Sequence, residues 1–169
     1  MKLPTPRFVT VCAALVAAGC ATATPAVQHP SAEHLASLPE SQALALIDSC
    51  LQEQKVEPEP GWAVELPRHA GGLPVDIRLG HAPVGIEWVS EQDRARYGQL
   101  LPAPDPSGQL RVLQGRDGAI VLLLDQATYR YEPGGARALL ASRDLDSTAD
   151  RLKRDVQDFI AYVKSQYAL

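Results

Sequence analysis

The chain has 169 residues, of which 46% are hydrophobic, 21% are charged and 5% are aromatic, and its formal net charge is −4. This length fits one compact domain. The composition excludes a collagen repeat, a disulfide-dense mini-protein, a disordered acidic chain and a multi-span membrane protein, because each needs a bias in glycine, cysteine, charge or apolar runs that is missing here.

The first 19 residues have the parts of a secretory signal peptide. Segment 1–7 carries Lys2 and Arg7 and no acid, residues 8–18 form an apolar run, and small residues follow. A charged start, a short apolar run and a small-residue junction are typical of such a signal. The run is shorter than the ~20 residues that a membrane-spanning helix needs. We therefore expect residues 1–19 to be a signal peptide that is removed.

The junction that ends this segment contains a cysteine. Its residues, Val16-Ala17-Ala18-Gly19-Cys20, resemble the lipobox of bacterial lipoproteins. The resemblance implies that Cys20 becomes the first mature residue and carries several acyl chains, palmitate among them, and each buried CH₂ contributes ~0.8 kcal/mol to anchoring. The alternative is a secreted protein cut after Ala18 or Ala21, with Cys20 incidental.

The residue after the cysteine bears on the membrane to which the chain is sorted. Asp at this position resembles the signal that retains lipoproteins in the inner membrane, and this chain has Ala21. The resemblance therefore implies lipid anchoring in the outer membrane, with the domain facing the periplasm.

Removal of the signal changes the charge and the cysteine count. Residues 1–19 hold two basic groups and no acid, so the net charge of the mature chain falls from −4 to −6. Such a chain gains nothing from counterion release on nucleic acid, and we expect no nucleic-acid partner. Cys12 leaves with the signal and Cys20 is lipidated, so Cys50 is the remaining thiol and no internal disulfide is expected.

The mature chain divides into a tether and a domain. Residues 20–36 are rich in Ala, Thr and Pro and show little periodicity, which predicts a lipid anchor followed by a flexible tether. Residues 37–169 carry the periodic segments and are expected to form a single α+β domain.

Two segments predict helices that pack on a sheet. Ser37-Leu38-Pro39-Glu40 has the form of a capping box, and apolar residues then recur at helical spacing as far as Leu51. Cys50 lies on this apolar stripe, where a small buried hydrophobe is expected rather than a reactive thiol. A long C-terminal helix is predicted from Leu145 to Tyr167, with caps at Asp144, Asp146 or Ser147.

Alternation and turn residues predict the strands. Residues 75–79 and 84–88 alternate around a loop at 80–83, and residues 109–114 and 119–124 flank a turn at 115–118. The apolar run 119–124 is expected to be the central strand. Residues 91–97 suggest a short helix, and residues 127–132 alternate again. The predicted architecture is an antiparallel or mixed sheet of about five strands, packed by the N-terminal helix and the long C-terminal one.

The sequence has no phosphate loop, CxxC pair, HExxH or GxSxG motif. The remaining candidate for a catalytic or metal site is one pair of acidic residues. Closing the hairpin through residues 80–83 places Asp76 opposite Glu87, and like charges opposed in this way are unfavourable. Either Arg78 and another base relieve them, or a divalent cation binds there, or the register differs. Asp76 followed by Glu87 on the next strand is similar to the PD-(D/E)xK nuclease pattern, with Val89 where that family has Lys. The resemblance implies a metal site.

The function expected from these residues is that of an envelope lipoprotein. It is anchored to the membrane through Cys20 and acts as a non-enzymatic binding or accessory module, with an envelope protein as a partner and no cofactor. The alternative is a divalent-metal-dependent hydrolase, or a degenerate nuclease-like domain, that uses Asp76 and Glu87.

Overall fold

The computed structural model describes residues 35–67, 71–105, 107, 109–131, 133 and 138–167. This part of the chain forms helices α1 (Glu40–Glu53), α2 (Glu91–Tyr97) and α3 (Ala138–Gln166) and strands β1 (Ala36–Ser37), β2 (Pro58–Glu65), β3 (Gly72–Leu79), β4 (Val84–Val89), β5 (Arg111–Gln114), β6 (Ile120–Asp125) and β7 (Arg130–Tyr131). The predicted α+β fold is confirmed, with its N-terminal helix, its long C-terminal helix and a mixed sheet. The signal peptide, Cys20 and the tether as far as residue 34 lie outside the described residues.

Five strands make the main sheet, in the order β2-β3-β4-β6-β5. β4 and β6 run parallel, and the other neighbours are antiparallel. β6 is flanked by strands on both sides and is buried from Val121 to Asp125, which confirms the prediction of a central strand. β1 and β7 pair separately, so the described chain enters the domain beside β7.

The sheet carries a core on each face. On one face α1 and α3 pack over Ile86, Trp88 and Leu122, and Phe159 of α3 is 2% exposed. On the other face a second cluster surrounds Val121 and Leu123. The second cluster is completed by residues from the β2–β3 hairpin and the segment after α2: Val64, Leu66, Leu73, Val75 and Leu101.

The β2–β3 hairpin connects the two cores because β3 changes faces along its length. Ile77 packs in the helix-side core, whereas Val75 packs in the opposite core. Residues two apart on a flat strand would share a face, so β3 turns sharply at Asp76. The far part of the hairpin then lies across the sheet, and Arg116 in the β5–β6 turn donates its N–H to the Glu65 carbonyl at 2.8 Å.

Gly85 makes this crossing possible. A Cβ on Gly85 would lie 2.8 Å from Val75 Cγ1, 2.8 Å from the Ile77 carbonyl oxygen and 3.0 Å from a ring carbon of Trp62. Real Cβ contacts are not this short, so the hairpin lies against bare backbone of β4.

Two predicted boundaries are wrong at the N-terminal side. Ser37 does not cap α1, because it lies in β1 and pairs with Arg130 of β7. The helix begins at Glu40, after Pro39, and has no side-chain cap. The buried Leu38 donates its N–H to the Tyr129 carbonyl, so the backbone here is extended. Ala36, assigned to the tether, also belongs to β1.

Three further differences concern strands and α3. The segment containing Pro58 and Pro60, whose prolines are typical of a loop, forms β2, an edge strand where proline is tolerated. Of the described residues in the alternating segment 127–132, Arg130–Tyr131 form strand β7, after a 3-10 turn at Gln126–Thr128. α3 begins at Ala138, earlier than the predicted caps.

Candidate functional site

Asp76 and Glu87 are brought together as the sequence predicted. Ile77 pairs with Ile86 and Arg78 with Gly85, which is the register expected from closure through residues 80–83. Just beyond these pairs the side chains of the two acids reach the opposite strand. The Asp76 N–H donates to Glu87 Oε2 at 2.9 Å, and the Trp88 N–H donates to Asp76 Oδ2 at 2.8 Å.

These two bonds replace the backbone hydrogen bonds between β3 and β4, which end where β3 turns. Trp88 would donate to the neighbouring strand if β3 stayed paired with β4 beyond Ile77. Because β3 separates from β4 at Asp76, this N–H would be buried without a partner, at a cost of about 1–3 kcal/mol. The Asp76 carboxylate accepts it instead, and Glu87 does the same for the N–H of Asp76. The acid pair therefore stabilises the turn in β3 at the point where this strand separates from β4.

Burial changes the ionisation of the pair. Glu87 is 3% exposed, and desolvation, followed by the negative charge of Asp76, raises the pKa of Glu87 from its ordinary value of 4.5 to about 9. Desolvation also raises the pKa of Asp76, with Glu40 and Asp93 adding to the effect. The second carboxyl opposite also makes ionisation of Glu87 unfavourable. At neutral pH Glu87 is therefore protonated.

The arrangement has limited capacity for metal chemistry. A divalent cation prefers several carboxylate oxygens free to coordinate it, whereas each of these carboxyls accepts a backbone N–H. Within the ranges that the structure describes, no group of three or more His, Cys, Asp or Glu residues is placed to hold a metal ion. Val89, at the position of the nuclease lysine, is buried in the second core.

A second polar site lies at the carboxyl ends of the parallel strands β4 and β6, where ligands often bind in open sheets of this kind. It encloses about 40 Å³, space for about three waters. Arg94 of α2 forms an ion pair with Asp125 at the end of β6 and donates to the Pro102 carbonyl at 2.8 Å. This arginine therefore fixes α2 and the loop after it to the end of β6.

The other wall of this cavity belongs to α3. Arg151 donates to the Thr128 carbonyl and stacks over the Tyr129 ring, 4.7 Å from its centroid. The Tyr129 hydroxyl donates to Asp155 at 2.7 Å. Burial raises the pKa of Tyr129, and its hydrogen bond to Asp155 raises it further. The hydroxyl therefore stays a neutral donor that ties the 3-10 turn to α3.

The sequence did not single out the residues of this cavity. Arg94, Asp125 and Arg151 come together only because β4 and β6 are parallel, which places their carboxyl ends at one edge. The sequence signal that points to this cavity is Asp125, an acid that follows directly after the apolar residues of β6. The N-cap of α2 was also missed: Ser90 and Asp93 form a reciprocal capping box at the end of β4.

Cys50 lies where the helical stripe predicted. It is 0% exposed and packs in the helix-side core. Desolvation raises the pKa of its thiol, so the nucleophilic thiolate is disfavoured. This confirms the interpretation of Cys50 as a buried apolar residue.

Comparison of the chain with protein-family models, with curated proteins and with solved structures found no match. Among the helices in the described ranges, none combines the length and apolar character needed to cross a bilayer.

Proposed function

We propose that this protein is a membrane-anchored envelope lipoprotein whose domain acts as a non-enzymatic binding or accessory module in the periplasm. The observation that carries the proposal is the lipobox-like junction at Cys20, which follows a charged start and an apolar run. Several acyl chains on one residue anchor a protein far more strongly than a single chain.

The fold agrees with this arrangement in two respects. The chain enters the domain through β1, which pairs at Ala36 and Ser37 with β7. A segment of about 15 residues separates Cys20 from this point, so the domain can stand clear of the bilayer. Around the cavity Arg94 of α2 pairs with Asp125 of β6, and Arg151 and Asp155 of α3 bind Thr128 and Tyr129. These contacts fix the elements at this edge of the sheet, which suits a domain that presents a surface to a partner.

The anchor is tested by fractionating cells that produce the parent, Cys20→Ser or Cys50→Ser. We expect the parent and Cys50→Ser in the membrane fraction and Cys20→Ser in the soluble periplasmic fraction. Cys50→Ser is the matched control, because it removes the mature chain's other cysteine. Membrane association of Cys20→Ser equal to that of the parent would contradict the anchor.

The accessory role is tested by crosslinking in native envelopes, followed by mass spectrometry. The parent should crosslink to a defined envelope protein, and the yield should fall at least several-fold for Cys20→Ser, which has lost its tether to the membrane. Crosslinks only between copies of this chain, or none, would contradict an accessory role.

A further inference from the structure

The two edges of the main sheet differ in whether another strand can pair with them. β2 forms one edge. Gly80 donates its N–H to the Glu57 carbonyl at 2.8 Å, and hydrogen-bonded pairs recur every second residue in an antiparallel ladder. Pro58 and Pro60 therefore occupy positions that point away from β3, where their missing N–H groups leave no donor for a further strand.

β5 forms the other edge and has no such protection. Gly115 donates its N–H to the carbonyl of Ala119, the residue before β6, at 2.8 Å. Because hydrogen-bonded pairs recur every second residue, Leu113 and Arg111 also direct their backbone N–H and C=O groups towards β6. Leu110, Val112 and Gln114 therefore direct their N–H and C=O groups outward, and no described strand pairs with them.

The same edge exposes apolar side chains. Leu110 is 37% exposed and Val112 is 43% exposed, and the one other large hydrophobic residue among the described side chains with comparable exposure is Tyr162 of α3. Val112 lies opposite Leu122, which packs in the helix-side core. Leu110 and Val112 therefore extend the apolar helix-side face of the sheet to an open edge. Open backbone groups beside exposed apolar residues favour pairing with another strand.

We propose that the β5 edge pairs with the β5 edge of a second copy of this chain, antiparallel and about a two-fold axis at Val112, so that the two five-stranded sheets become continuous. The residue pattern is complementary to itself in this register. Val112 faces Val112 of the other copy, Leu110 faces Gln114, and Arg111 faces Leu113, so no two like charges are opposed. The outward backbone groups of Leu110, Val112 and Gln114 all become paired.

The charges of the strand disfavour one of the two neighbouring symmetric registers. Centring the axis on Arg111 would oppose two guanidinium groups, which is unfavourable. In the Val112 register each Arg111 keeps its ion pair with Asp105 of its own chain, where the two groups lie 2.9 Å apart. An extended segment of another protein would lack this two-fold match, so a second copy is the occupant that the edge fits.

The inference rests on the proposed function for one element, the anchor. Pairing of a single strand with another buries less than the ~1,200 Å² of a standard interface, so the free domain would associate weakly. Two copies held in one membrane through Cys20 encounter each other at a much higher effective concentration.

The test is disulfide crosslinking of the full chain in its native envelope. In a hydrogen-bonded antiparallel pair the Cα atoms are about 5.5 Å apart, within the range of a disulfide. Val112→Cys should therefore give a disulfide-linked dimer under mild oxidation. Leu110→Cys is the matched control: it lies on the same strand and face, but its two copies would be about 13 Å apart along the strands. We expect at least a five-fold lower dimer yield from it.

A second variant keeps the register testable. The double variant Leu110→Cys with Gln114→Cys should regain the dimer, because these positions face each other across the axis. Cys50 is present in every chain and buried, so its contribution is the same throughout. The inference is overturned if neither Val112→Cys nor the double variant dimerises, or if Leu110→Cys dimerises as well as Val112→Cys. Either result leaves the anchor untouched, since that is judged by fractionation of Cys20→Ser.

Discussion

Asp76 and Glu87 exchange side-chain to backbone hydrogen bonds at the point where β3 leaves β4, with the Asp76 N–H bound to Glu87 Oε2 and the Trp88 N–H bound to Asp76 Oδ2. The two acids thus replace ladder bonds at the corner of a hairpin that connects both cores. A buried acid in this role makes the stability of the domain depend on pH.

Replacing Glu87 with Gln should remove much of this pH dependence. The folded-state pKa of Glu87 is about 9, raised from 4.5, so between these values the folded chain holds more protons than the unfolded chain. The free energy of unfolding then falls as pH rises through this window, by up to about 1.4 kcal/mol per pH unit. Glu87→Gln retains the shape and the acceptor oxygen of the protonated acid.

The measurement is urea unfolding at pH 5.5, 7 and 8.5. We expect Glu87→Gln to match the parent at pH 5.5 and to exceed it in stability at pH 8.5. At the higher pH the parent's Glu87 is ionised when the chain is unfolded, and burying it requires uptake of a proton. Glu65→Gln, at an exposed position on β2, is the control and should follow the parent. A parent whose stability is level or rising across this range would show that Glu87 is ionised in the fold.

Divalent metal should not stabilise the parent. Both carboxyls accept a backbone N–H and Glu87 is protonated at neutral pH, so a cation would have to displace these bonds and that proton to bind. Thermal melting in EDTA and in millimolar Mn²⁺ should give the same Tm for the parent, Asp76→Asn and Glu87→Gln. An increase in the parent's Tm that both variants lose would indicate a metal site, since a ligand stabilises only the form that binds it.

Gly85→Ala should destabilise the domain by about 1–3 kcal/mol, the usual cost of overpacking. The added Cβ would meet the Ile77 carbonyl oxygen at 2.8 Å, and this backbone atom cannot move without disturbing the β3–β4 pair. Equilibrium unfolding provides the value. A variant as stable as the parent would show that the hairpin does not lie against β4 at Gly85.

Phe159→Ala should cost about 3–5 kcal/mol, because the ring is 2% exposed and its removal leaves a cavity under α3. Tyr162→Ala is the control on the same helix. Tyr162 is 52% exposed, so its loss should change stability by less than about 0.5 kcal/mol. Equal effects of the two substitutions on the unfolding midpoint would mean that α3 does not pack through Phe159.

Much of the fold could be predicted from local patterns. The Ile77–Ile86 register followed from alternation on either side of residues 80–83, and the burial of Cys50 followed from helical spacing. These features depend on neighbours in sequence. The candidate pair Asp76 and Glu87 was found for the same reason, since the turn that sets the register also sets their opposition.

The parts that could not be predicted depend on distant contacts. Val75 and Ile77 have the same place in the alternating pattern, so nothing local shows that β3 sends them to different cores. β2 could not be predicted because Pro58 and Pro60 are equally compatible with a loop and with an edge strand. The cavity around Arg94 requires the parallel pairing of β4 with β6, which alternation does not specify.

The N-terminus of the mature chain provides the most direct test of the anchor. The protein would be extracted from the envelope, digested, and its N-terminal fragment measured by mass spectrometry before and after removal of ester-linked acyl chains. We expect the fragment to begin at Cys20, to carry diacylglycerol on its sulfur, and to lose the ester-linked acyl mass on treatment. A fragment that begins at Gly19 or Thr22, as cleavage after Ala18 or Ala21 would give, or that begins at Cys20 without added lipid mass, would contradict the proposed anchoring.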